Sequence, residues 1–300
     1  MTEKVKRSSR VDTAHRIMKK FFSIGGITLA LCFPSGFTTD PDMRIFETST
    51  STPDVTVEYS GWASSMLAEG DPVGKDSHFN YYTVNGLIQA QKRHGSLGFC
   101  SVVRFSADFA KVTVHLLYTD SLTAKMLLQH LPLKIIFAVF GTTLLHASQI
   151  SYSQRSILFT APSGTGKTTQ ARLWCRYGAA IHLSGDRTTI RRIDKSIYSF
   201  GYPFDGTEPV LTNTAAKLGA IVVLGKSDTD SIARLSGASA FRELLSQSSV
   251  PYWHPALLES AAETLSIILD FVPVYRLLCT PRESAVECLK ERLISDGVIA

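Results

Sequence analysis

Eight consecutive residues, Ala161-Pro162-Ser163-Gly164-Thr165-Gly166-Lys167-Thr168, restrict the fold more than any other stretch of this 300-residue chain. The apolar run Ile157–Thr160 leads into them as a strand, and a helix over Lys167–Tyr177 leaves. A strand that passes through a glycine-containing turn into a helix aims several backbone N–H groups at one point. The positive end of the helix dipole is aimed there too. That point suits an anion. The sequence follows the pattern of a small residue, four variable ones and Gly-Lys-Ser/Thr, with Ala161 where glycine is commoner. In this pattern Ser163, Gly164, Thr165, Gly166, Lys167, Thr168 and Thr169 surround a triphosphate. Lys167 reaches the β- and γ-phosphates, and the Thr168 hydroxyl completes a magnesium shell.

Charge and composition exclude other classes. The net charge is +5, but residues 1–20 alone hold seven cationic side chains against Glu3 and Asp12. The other 280 residues are therefore neutral overall, without the basic face that nucleic acid requires. Residues 1–20 read as a basic, flexible leader. Five scattered cysteines without a C-x-x-C pair argue against a zinc site or a disulfide framework and fit a reducing cytosol. Phe21–Phe33 is broken by Gly25-Gly26, and Leu131–Leu145 contains Lys134. Neither reaches the roughly 20 apolar residues that span a bilayer. No signal-peptide layout is present. The expectation is a soluble, cytoplasmic protein that engages neither membrane nor nucleic acid.

Strand signals dominate residues 21–119: Ile27–Phe33, ending at the turn Pro34-Ser35-Gly36, then Val55–Tyr59, Tyr81–Val84, Ser101–Phe105 and Lys111–Tyr118. Phe37–Pro53 reads as a loop. From residue 120 helices and strands mix. Asp120 or Ser121 caps a helix through Gln129, and Pro132 opens another to about Thr143. Strands are expected at Leu144–Ile150, Ser156–Thr160, Ala180–Leu183, Thr188–Ile193, Ile197–Gly201, Gly219–Leu224 and Val274–Leu278. Helices are expected at Ala238–Gln247, Pro255–Asp270 and Arg282–Ile294. The fold class is α/β: a mixed-sheet P-loop kinase domain over 120–300, preceded by a β-rich N-terminal domain over 21–119.

The flanks of the loop add chemistry. The strand Ala180–Leu183 runs into Ser184-Gly185-Asp186-Arg187, placing a carboxylate where it can hold magnesium or accept a hydroxyl proton. His146 begins a strand that hairpins into the loop's own strand. The motifs His146-Ala147-Ser148, Ala161–Thr168 and Ser184–Arg187, with their spacing, resemble the HPr kinase/phosphorylase family and its relatives in the ATP-dependent phosphoenolpyruvate carboxykinase superfamily. The likeness spans roughly residues 140–225. It implies ATP and Mg²⁺ bound at the loop, Asp186 in metal binding and proton transfer, and His146 in the active site. The family's aspartate pair is Gly185-Asp186 here, so Asp186 serves both roles or Asp205 supplies the second carboxylate. The glycine-rich segment of the family's reverse reaction has no counterpart. The sequence looks closer to the shorter HPr-kinase-related proteins, including those associated with modified-peptide biosynthesis that phosphorylate a serine of a precursor peptide.

The expected function is an ATP- and Mg-dependent kinase acting on a serine or threonine hydroxyl of a peptide or protein, with Lys167, Asp186 and His146 catalytic and Thr168 and Asp186 on the metal. A homo-oligomer is compatible with that family. Two other functions fit the same motifs: a kinase for a small molecule, and an ATP-binding regulatory or scaffold protein that transfers nothing. Arg187, Arg191 and Arg192 are candidates for phosphate neutralisation, although the last two read more readily as a solvated strand end. Tyr252-Trp253-His254-Pro255 serves as a substrate wall or as a helix start, and His182 reads as structural.

Overall fold

Gly25 and Gly26, with φ of 61° and 74°, turn the apolar stretch Phe21–Phe33 back on itself. The result is a hairpin of β1 (Met18–Ile24) and β2 (Ile27–Phe33) in register from Met18↔Phe33 to Ile24↔Ile27. The computed structural model describes residues 17–33, 37–61, 66–93, 98–117, 122–204 and 210–300. Residues 1–16 of the basic leader, the turn at 34–36, the Asp120–Ser121 cap and Asp205 lie outside them. The strand β1 starts inside the stretch read as a flexible leader, and Lys20 lies 3.4 Å from Glu47.

The hairpin opens an eight-stranded sheet with β3 (Val55–Gly61), β4 (Gly74–Lys75), β5 (Phe79–Val84), β6 (Leu87–Arg93), β7 (Phe99–Phe105) and β8 (Lys111–Leu116). The strand order is β1-β2-β3-β8-β7-β6-β5-β4. The β2/β3 and β3/β8 pairs are parallel and the rest antiparallel, so the sheet is mixed. The stretch expected as a loop before β3 contains a 3₁₀ turn, Pro41–Phe46, that buries Met43 and Phe46.

Two short helices follow, α1 (Ala124–Gln129) and α2 (Leu133–Val139). Thr123 caps α1 by accepting from the Met126 N–H. The second helix stops short of the expected Thr143. Gly141 takes φ 61°, and Thr142 and Thr143 instead pair with Arg191 and Ile190 in a strand. β-Branched residues suit that pairing better than a helix.

The second sheet is also mixed. It contains β9 (Thr142–Leu145), β10 (Ala147–Tyr152), β11 (Arg155–Thr160), β12 (Ile181–Ser184), β13 (Thr188–Ile193), β14 (Ser196–Gly201), β15 (Ala216–Lys226), β16 (Ser231–Leu235) and β17 (Val274–Cys279). The long strand β15 holds it together. Its first residues pair with β14, and its remainder runs parallel to β11 and β17. Helices α3 (Lys167–Tyr177) and α6 (Glu283–Ser295) cover one face, where Trp174 and Leu289 meet Ile157, Phe159 and Val222. Helices α4 (Gly237–Gln247) and α5 (Pro255–Phe271) cover the other, where Leu244 and Ile268 meet Leu158, Ile221 and Val223. Alternation of Ile157, Leu158 and Phe159 across β11 is what lets both faces bury apolar side chains. Leu257 and Ala261 of α5 belong to the core of the first sheet, together with Leu127, Ile136 and Phe137. Among the described residues no helix is long and apolar enough to cross a membrane.

Candidate functional site

The site forms where the chain passes twice between the two wings of the second sheet. Strand β9 pairs with β13 in one wing, while β10 pairs with β11 and β12 in the other. The chain must therefore cross at His146, between β9 and β10. It crosses again between β12 and β13, at Gly185-Asp186-Arg187. Leu145 opposite Thr188 and Gln149 opposite Ser184 hold the crossings side by side. His146 Nε2 consequently lies 3.0 Å from Asp186 Oδ1.

The backbone of His146 is fixed at both ends. Its N–H donates to Gln247 O at 2.9 Å, and its carbonyl accepts from the hydroxyl of Thr160, the last residue of β11, at 2.9 Å. Burial holds the imidazole below the ordinary histidine value, and the nearby Lys167 charge pushes the same way. The Asp186 carboxylate opposes both without cancelling them. His146 is therefore neutral at neutral pH. An ionised carboxylate only accepts, which assigns the ring proton to Nε2. Arg187 Nε stands 3.7 Å from the other oxygen, Asp186 Oδ2.

Directly beyond Thr160 the loop turns on Gly164 (φ 77°) and Gly166 (φ 121°), conformations that side chains resist. The Thr165 N–H donates to Pro162 O at 3.3 Å, closing the turn. Gly166 precedes α3 without a side-chain cap, and the first turn holds no acidic residue. Its free N–H groups and dipole are left for a ligand. Lys167 is 7% exposed, and its ammonium donates to Ala161 O at 2.9 Å and Pro162 O at 3.4 Å. Burial lowers its affinity for a proton, and Asp186 partly restores it. Thr168 is half-buried in the first turn, whereas Ser163, Gly164 and Thr169 are exposed.

These donors fit a polyphosphate. For a hard divalent cation the candidates are the Thr168 hydroxyl and the Asp186 carboxylate. No group of three or more His, Cys, Asp or Glu that could hold a metal stands together among the described residues. Magnesium tolerates so few protein ligands, because it keeps water and phosphate oxygens in its shell.

Other candidates go elsewhere. Arg191 donates to Gly26 O, pinning the first hairpin. Arg192 lies 5.2 Å from the centre of the Phe271 ring and donates to Asp194 O at 2.9 Å. Neither assists at the loop. His182 Nε2 lies 3.0 Å from both Ser148 Oγ and Ser184 O, tying β10 to β12. His254 caps α5 through the Leu257 N–H, and Trp253 stacks on Tyr81 at 4.5 Å. The sequence reading missed the first sheet's part in a cleft of about 740 Å³ that Arg187 also lines. One signal for it was available, Lys134 inside an otherwise apolar run.

No family model matches this chain, and no curated protein matches it in sequence. Among solved structures it is similar to the Hpr(Ser) kinase/phosphatase from Coxiella burnetii, with 11% identity over 51% of this chain and 95% of that one, at a TM-score of 0.29.

Proposed function

We propose that this protein is a kinase that moves the γ-phosphoryl group of ATP to a serine or threonine hydroxyl of a peptide or protein. The observation that carries the reading is the His146–Asp186 pair at 3.0 Å, in electrostatic reach of Lys167 in a loop built for phosphates. Thr168 and Asp186 would hold Mg²⁺, which supplies neutralising charge to the phosphates when bound.

The chain's own residues divide the remaining work. The Lys167 ammonium, lodged on two carbonyls, exchanges them for phosphate oxygens and offsets the charge that accumulates as the γ-phosphoryl leaves ADP. Asp186 Oδ2 accepts the hydroxyl proton as the new P–O bond forms and the bond to the bridging oxygen breaks. His146, donating from Nε2, holds Oδ1 and so aims the other oxygen. It is a positioning residue for Asp186, and the clamped backbone at both crossings keeps the pair aligned.

Transfer from radiolabelled ATP to serine-containing acceptors tests this. Lys167→Ala is expected to abolish transfer. Asp186→Asn is expected to lower turnover by about 10²–10⁴-fold while sparing most ATP binding. Wild-type turnover in Asp186→Asn sinks the assigned role. A second reading, ATP binding without transfer, draws on Asp186 being, among the described residues, the one carboxylate identified at the loop. Tight Mg·ATP binding with no transfer to peptides or small hydroxy compounds would favour it.

A further inference from the structure

Arg187 adjoins Asp186 in sequence and lines the 740 Å³ cleft, whose other residues come from both sheets and the segments between them. The first sheet contributes Lys75 of the edge strand β4, Tyr81 of β5 and Lys92 of β6. The rest of the lining includes Tyr202, Phe204 and the segment before α5, whose Trp253 stacks on Tyr81. Apolar and cationic side chains line the cleft together. Lys134 is neutralised by Asp76 at 2.7 Å, but Lys92 donates only to the neutral Gln129 carbonyl at 2.7 Å. Among the described residues neither Lys75 nor Lys92 has a carboxylate partner. Burial, opposed only weakly by Cys100, lowers the Lys92 proton affinity, as expected of an ammonium short of counter-charge.

We infer that this cleft docks an extended acidic peptide segment carrying the acceptor hydroxyl, with its carboxylates on Lys75 and Lys92 and an apolar or aromatic side chain on the Tyr202–Phe204 wall. This deepens the kinase reading and rests on it for the fate of the hydroxyl. Charge complementarity sets the sign of the partner, because two unmatched cations in a partly apolar cleft favour anions and repel basic segments. An extended chain, more than a compact acid, suits the remaining feature. The strand β4 is the edge of its sheet, so among the described residues its outer backbone groups meet no further strand. Arg187, which lines the cleft and stands 3.7 Å from Asp186 Oδ2, links the docked segment to the carboxylate that takes the hydroxyl proton.

The test uses the full chain and fluorescein-labelled nonapeptides with one central serine and one phenylalanine, flanked by glutamate, glutamine or lysine. Binding is read by anisotropy without nucleotide, and transfer is read separately with ATP. The glutamate peptide is expected to bind about tenfold more tightly than the lysine peptide, with the glutamine peptide between. Raising salt from 50 to 300 mM should narrow that gap. Lys75→Glu, at an exposed edge where folding is not at risk, should reverse part of the preference, and Lys92→Gln should weaken the glutamate peptide alone. Equal binding of all three peptides, or competition by free glutamate or citrate as effective as the peptide, overturns the proposal. A charge preference that persists without phosphoryl transfer leaves the docking intact and removes the kinase reading instead.

Discussion

His146 is held between charges of opposite sign, and its titration reports both. Burial and Lys167 favour the neutral ring, while Asp186 favours the charged one through its own charge and its hydrogen bond. Removing one charge at a time should move the ring in opposite directions. Lys167→Met is expected to raise the His146 pKa and Asp186→Asn to lower it, followed by the ring signals in an NMR pH titration. Movement of both variants in one direction would show that the three groups do not share a site. The wild-type value lies below the ordinary 6.5, so the protonated ring is disfavoured by folding. The resulting stability is present above pH 6.5 and lost as pH falls through the depressed value. Turnover should decline over the same acidic range, because an imidazolium bound to Asp186 Oδ1 makes that carboxylate a weaker base.

At the scale of elements, the loop joining β11 to α3 depends on two backbone conformations. Gly166 at φ 121° lies outside even the left-handed helical well, so a Cβ there costs about 1–3 kcal/mol of strain unless the loop relaxes. Gly166→Ala is expected to weaken ATP binding by about tenfold, measured by titration with a fluorescent ATP analogue. Unchanged affinity would mean the loop does not cradle phosphate in this form. This junction was legible in sequence because everything that specifies it is local: an apolar strand, glycines, then a helical period. For the same reason β2, α3 and β13 begin and end where their residues predict. The strand β6 alternates Ile88-Gln89-Ala90-Gln91, but Ile88 is its one β-branched residue and it has no aromatic one, so its strand signal is weak. The short strand β16 has only Ile232 and Leu235 packed on the cores, and the break between β9 and β10 has no glycine or proline to mark it. Asp186 was legible as a carboxylate at a strand end. Its partnership with His146 at 3.0 Å follows from sheet pairing, which the spacing only suggested. The cleft was not legible, because its walls come from seven separated stretches of chain.

Over the whole molecule, the two sheets are joined through shared elements more than through a linker. Helix α5 places Leu257 in the first core and Ile268 in another. Trp253, just before it, fills the space beside Gly74, where a Cβ would lie 2.2 Å from its ring. Asp76 makes the polar counterpart of that joint, bonded by Lys134 of α2 at 2.7 Å and by the Tyr81 hydroxyl at 2.7 Å. Burial opposes ionisation of Asp76, but Lys134, Tyr81 and the His78 N–H outweigh it and lower the carboxyl from 3.8 to about 2. A depressed acid stabilises the fold above its unfolded value, and that contribution disappears as pH falls from 3.8 towards about 2. Asp76→Asn should therefore cost about 1–2 kcal/mol at pH 7, the lower end reflecting partial exposure. The gap from wild type should close near pH 2, because protonation then strips Lys134 of its counter-charge in both proteins. Urea unfolding at pH 7 and at pH 2.5 separates this from a packing effect, which would leave the gap unchanged. Because Asp76 bridges the first sheet to α2, and α2 packs on α5, the loss should lower one transition for the entire chain. Two separated transitions, with only the earlier one moved by the substitution, would mean that the halves fold independently.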